Sequence, residues 1–114
     1  MMRKGEKIIM KRFKTTVTRT DEYIIEIDEN IIDEEWMKHF RRYFYDFDSF
    51  EEHAEHLAQS RARFEQSFFE GYGEVLINSK KSWNVKDENE VQKGINIIVK
   101  SEDQDCEVEV EEIE

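Results

Sequence analysis

Residues 33–71 read DEEWMKHFRRYFYDFDSFEEHAEHLAQSRARFEQSFFEG. They decide the fold, because two helix starts follow one another here between flanks that alternate like strands. Asp33 can accept from the free N–H groups of a first turn. Ile32 and Met37 have the spacing of a hydrophobic staple across that start. Glu34 and Glu35 stand at the positive end of the helix dipole, with Lys38, Arg41 and Arg42 toward the negative end. Trp36, Phe40, Phe44 and Phe47 recur at three or four residues and define an apolar face. Ser49 and Glu52 form an S-x-x-E capping box that opens a second helix. Phe50, Ala54, Leu57, Ala58, Phe64 and Phe68 give it one stripe, and Gly71 suits the left-handed position that closes it.

Outside this block the period changes to two. Phe13, Thr15 and Val17 alternate with Lys14, Thr16 and Thr18, and Tyr23, Ile25 and Ile27 alternate with Ile24, Glu26 and Asp28. Both segments read as strands, and a turn at Thr20-Asp21 predicts an antiparallel hairpin between them. After Gly73, strands are expected at Val75–Ile77, weakly at Trp83–Val85, at Ile95–Val99 and at Cys106–Glu111. The fold class is α+β, in the order β-β-α-α-β-(β)-β-β, with a mainly antiparallel sheet packed on two helices. Residues 1–10 are expected as a flexible N-terminal extension and 11–114 as a single domain.

Composition narrows the functions. Of 114 residues 39% are charged, well above the ~25% usual in globular domains. The net charge is -11, while fourteen aromatics argue for a packed core. Residues 1–19 hold seven Lys/Arg and one Glu; residues 20–114 carry a net of -17. From Glu102 to Glu114 there are eight carboxylates and no base. Direct binding to nucleic acid is disfavoured by that balance, and no apolar run is long enough for a membrane span. The expected compartment is the cytoplasm.

Catalytic and metal motifs are lacking in the sequence. One cysteine excludes an internal disulfide and a Cys-based zinc site. Cys106 reads as a small core residue, because its carboxylate neighbours oppose a thiolate. His53 and His56 lie three apart beside Glu52 and Glu55 without the H-E-x-x-H arrangement, and are expected as surface histidines. Gly71-Tyr72-Gly73 is too short for a phosphate loop. The expectation is a non-catalytic protein without cofactor or metal.

Binding residues are then sought in charge and aromatics. In the final strand Glu107, Glu109 and Glu111 project from one face, with Asp103, Asp105 and Glu112 adding charge nearby. A domain of this size spans roughly 35 Å, over which duplex DNA carries about 20 charges, comparable with the -17 of residues 20–114. The final strand alone is too sparse, so mimicry of nucleic acid needs Glu26, Asp28, Glu29 or the acids of the second helix beside it. The basic stretch Lys11–Arg19 could also pair with the acidic strand, opposite charges facing. Seven aromatics fall between Trp36 and Phe50, and Tyr43 and Tyr45 are candidate anchors because consecutive residues cannot share one face. Arg61 and Glu65, four apart within the second stripe, read as a rim ion pair or an anchor for a partner.

The segment FEEHAEHLAQSRARFEQSFFEGYGEVLIN, residues 50–78, resembles one in small phage and prophage proteins. In size and acidity the chain is also similar to anti-CRISPR and anti-restriction proteins. The first likeness names no activity and transfers no site residue; the second implies an inhibitor that covers the basic surface of a host protein. The alternative is a structural or assembly module, as a homodimer.

Overall fold

The computed structural model describes residues 9–102 and 106–114. Asp103 and Asp105 lie outside the described residues, as does the expected extension apart from Ile9 and Met10, both exposed. Strands β1 (Arg12–Thr18) and β2 (Glu22–Ile27) precede helices α1 (Glu34–Tyr43) and α2 (Phe50–Phe64). Strands β3 (Phe68–Phe69), β4 (Gly73–Ile77), β5 (Val91–Ser101) and β6 (Glu107–Ile113) follow. The architecture is α+β in the expected order, with a two-stranded sheet β1-β6 and a four-stranded sheet β2-β5-β4-β3. Among the described residues only β4 and β5 run parallel.

The chain divides into two compact units: a body, Asp21–Glu102, and a ribbon from the segments flanking it. In the body, β5 is central. Its Ile95 and Ile97 enter the core, opposite Ile27 and Ile25 of β2. With them are buried Ile32, Met37 and Phe40 around α1, Leu57 of α2, and Phe69, Tyr72 and Val75 of the last turn and strands. On the other parity of β5, buried Asn96 donates to Glu26 Oε1 at 2.8 Å and to Ser79 Oγ at 3.1 Å, and accepts from Ser79 N–H at 2.8 Å. A buried amide is tolerated because each group finds a partner.

Both helix starts form as read. Asp33 accepts from Trp36 N–H at 2.8 Å, with Ile32 and Met37 buried on either side. Ser49 accepts from Glu52 N–H at 3.3 Å, and Glu52 returns to Asp48 N–H at 3.1 Å. The second stop differs. α2 ends at Phe64, and Glu65 takes the left-handed cap with φ of 51°, its N–H donating to Arg61 O at 2.8 Å. Phe64 and Phe68 are therefore exposed and leave the stripe. Gly71 instead shapes the β3–β4 turn, at φ of 89°. The additional strand lies at Phe68–Phe69; Ser82–Val85 forms a turn, with Trp83 exposed and Val85 buried.

The expected hairpin is also corrected: β1 pairs with β6, and β2 with β5. Cross-strand chemistry explains the choice. Tyr23, Ile25 and Ile27 of β2 meet Val99, Ile97 and Ile95, apolar against apolar, which β1 cannot offer. β1 brings Lys14 opposite Glu111, and Val17 and Thr15 opposite Val108 and Val110. The basic stretch thus lies along the acidic strand. Directly opposed residues share a face, so one side of the ribbon carries Lys14, Thr16, Glu109 and Glu111 and the other Phe13, Val17, Val108 and Val110.

Candidate acidic interface

The formal charge follows the division into units. Asp21–Glu102 carries ten Lys/Arg and twenty Asp/Glu, a net of -10; the flanking segments carry seven and eight, a net of -1. In the ribbon Glu107, Glu109, Glu111 and Glu112 are exposed; Lys14 of β1 stands opposite Glu111, while Thr16 and Thr18 face Glu109 and Glu107. The body holds the uncompensated charge.

Local folding gathers that charge at the starts of α1 and α2. N-terminal first turns favour carboxylates, and both starts open onto the end of β2. One shallow cleft is lined by Glu29, Asp33, Glu34, Met37, Asp48, Ser49 and Phe50. A second shares Glu29 and Phe50 with it and adds Ile25, Ile27, Glu51 and Ala54. Five carboxylates thus rim two adjoining clefts with an apolar floor. Glu55, one turn beyond Glu51, extends the row along α2. Arg41 is the base set among these acids: it donates to Glu34 Oε1 at 2.8 Å and lies 3.9 Å from Asp48. Its pKa is raised above the ordinary value, first by the hydrogen bond to Glu34.

Behind this rim lies an aromatic cluster. Phe40 stacks on Trp36 at 5.3 Å and contacts Phe47, His53 and Tyr72. His53 is 1% exposed, which corrects the expectation of a surface histidine. Its ring stands perpendicular to Tyr72, and its Nδ1 is hydrogen-bonded to the Tyr72 hydroxyl at 2.6 Å. Its Nε2 is buried and has no hydrogen-bond partner among the described residues. Desolvation lowers its pKa, outweighing Glu52, and burial lowers that of His56 too. The Tyr72 hydroxyl is pushed far above its usual value, chiefly by burial. The signal was helical phase: position 53 lies three from Phe50 and four from Leu57, on the apolar stripe.

Other candidate residues scatter. Tyr43 and Tyr45 are exposed, Tyr43 beneath the Arg42 guanidinium at 5.5 Å and Tyr45 stacked on Phe47 at 5.4 Å. Arg61 pairs with Glu102 at 2.9 Å, the side chains 15% and 10% exposed, and donates to Gln66 O at 3.1 Å. That makes Arg61 a clamp within the body, joining α2 to the end of β5. Glu65 caps α2. Cys106 is partly exposed at φ of 38°, before β6, and is not the core residue expected; the ribbon face it was assigned to is uncovered.

Among the described residues no group of three or more His, Cys, Asp or Glu is placed to hold a metal ion. Nor is any helix among them long and apolar enough to cross a membrane. No family model matches the chain, and no match to it is found among curated proteins or solved structures.

Proposed function

We propose that the chain is a non-catalytic acidic binding protein that covers the basic, nucleic-acid-binding surface of a host protein, as an inhibitor from a phage or mobile element would. The observation that carries this reading is the shared rim of Glu29, Asp33, Glu34, Asp48 and Glu51 around the two helix starts. The carboxylates converge on one region of a body with a net charge of -10. Such a field steers a cationic partner into place and makes association fast and salt-sensitive. The apolar floor supplies contact area that survives added salt.

Reversing three carboxylates tests this. Glu29, Glu51 and Glu55 form no hydrogen bond or ion pair with a described residue, so the Glu29→Lys/Glu51→Lys/Glu55→Lys variant keeps its fold. Immobilised wild-type chain should retain a nucleic-acid-binding protein from host lysate, release it with salt, and displace DNA from it. The variant should lose at least tenfold in retention, being the sum of several charge pairs of ~0.5–1 kcal/mol each. Retention by the variant equal to wild type would sink the proposal.

A second reading, an assembly module, is favoured by the ribbon. Phe13, Val17, Val108 and Val110 are each more than half exposed on one face. A two-stranded ribbon is marginal in water unless its apolar face is covered. Under this reading a second copy covers it. Sedimentation should then show a dimer indifferent to salt and dissociated by Val110→Lys; a monomer at every concentration removes the reading.

A further inference from the structure

We propose that the cleft beside Phe47 and His56 seats an arginine side chain of the partner. The inference rests on the acidic body binding a basic protein, and it names the group that anchors it. The cleft is lined by Phe47, Glu52, Glu55, His56 and Gln59. Positions 52, 55, 56 and 59 recur at helical spacing, so α2 presents them on one side. Phe47 closes the N-terminal end, backed by Tyr45 in a near-parallel stack with 13° between the rings. His56 leans on both, at 4.8 Å from Tyr45 and 5.4 Å from Phe47. The volume of about 260 Å³ takes one side chain and falls below the ~300–1,000 Å³ of ordinary small-molecule sites.

The chemistry of the lining is that of a cation seat. Aromatic rings attract a cation to their faces, and a planar guanidinium also stacks on them. Glu52 is held ready: Ser49 Oγ at 3.2 Å and Asp48 N–H at 3.1 Å both bond its Oε1, which leaves Oε2 to accept. Glu55 forms no hydrogen bond or ion pair with a described residue. The two carboxylates are one turn apart, within reach of the forked N–H groups of one guanidinium. Burial keeps His56 below the usual imidazole value, so at neutral pH it adds no repelling charge. Lysine has a point charge and neither the plane nor the fork, so arginine is the better fit.

Capped hexa-arginine and hexa-lysine peptides separate the contributions, titrated calorimetrically into the full chain at low ionic strength. Hexa-arginine should bind about fivefold more tightly, as one added hydrogen bond of roughly 1 kcal/mol from the guanidinium fork to Glu55 implies, and should shift the ring resonances of Phe47 and His56. Glu55→Gln should remove most of that preference. Glu51→Gln, with the same change of charge outside the cleft, should keep it. Equal affinity for the two peptides, or equal effects of the two substitutions, overturns the arginine seat while leaving the acidic surface standing. If neither peptide binds, both the seat and the acidic reading fall.

Discussion

Phe40→Ala is expected to lower the unfolding free energy of the body by about 3–5 kcal/mol, the usual cost of emptying a buried phenylalanine site. Phe40 is 1% exposed and touches Trp36, Phe44, Phe47, His53 and Tyr72. Stacked rings relax poorly around a lost neighbour, so the effect belongs at the upper end. Against a typical total of ~5–15 kcal/mol, much of the stability would go. Urea unfolding followed by tryptophan fluorescence checks it, since Trp36 stacks on the missing ring; a loss under 1.5 kcal/mol would show that Phe40 is not the keystone. Gly71 offers a matched control. A Cβ there would lie 2.6 Å from Phe40 Cε2 and 3.0 Å from Phe44, at a φ of 89° that alanine resists. Gly71→Ala alone should cost roughly 2–4 kcal/mol through strain and overpacking. In the Phe40→Ala background its cost should drop, because the closest contact has gone.

Acid should destabilise the body through His53. Its folded pKa lies below the unfolded value of about 6.5, because burial opposes the charged form. Between those two values the unfolded chain binds more protons, so stability falls as pH drops through 6.5 and levels off only below the folded pKa. Above the unfolded value this contribution is fully present. The slope reaches at most about 1.4 kcal/mol per pH unit for one group. His56, also lowered by burial, adds in the same direction. His53→Leu should be the less stable protein at pH 8, because the Tyr72 hydroxyl loses its 2.6 Å partner, at about 1–3 kcal/mol. The gap should narrow as pH falls below 6.5. Parallel curves for the two proteins from pH 8 to 5 would refute a role for His53.

What could be read in the sequence was what acts over three or four residues. The caps at Asp33 and Ser49, the staple of Ile32 and Met37, and the alternation of β2 and β5 all depend on near neighbours, and all appear in the fold. Pairing partners did not, since alternation tells which face is dry and not which strand lies alongside. The end of α2 was hidden because Glu65, not a glycine, takes the left-handed cap. Arg61 finds Glu102 forty-one residues away, beyond any local spacing rule. At the helix starts Asp33 was visible as a cap and Glu34 as a dipole partner, while Asp48 and Glu51 carried no local signal of their own. Their meeting with Glu29 required knowing that β2 ends beside both helices.

The ladder between β1 and β6 joins Thr18 to Glu107 and Arg12 to Ile113, about ninety to a hundred positions apart. Closing so long a loop costs entropy before any contact repays it, so this ladder is a late event in folding. A ribosome adding some 5–20 residues per second leaves β1 unpaired for several seconds while the intervening body emerges. During that interval Arg12, Lys14 and the threonines of β1 act as gatekeepers, keeping an orphan strand soluble until its acidic complement arrives.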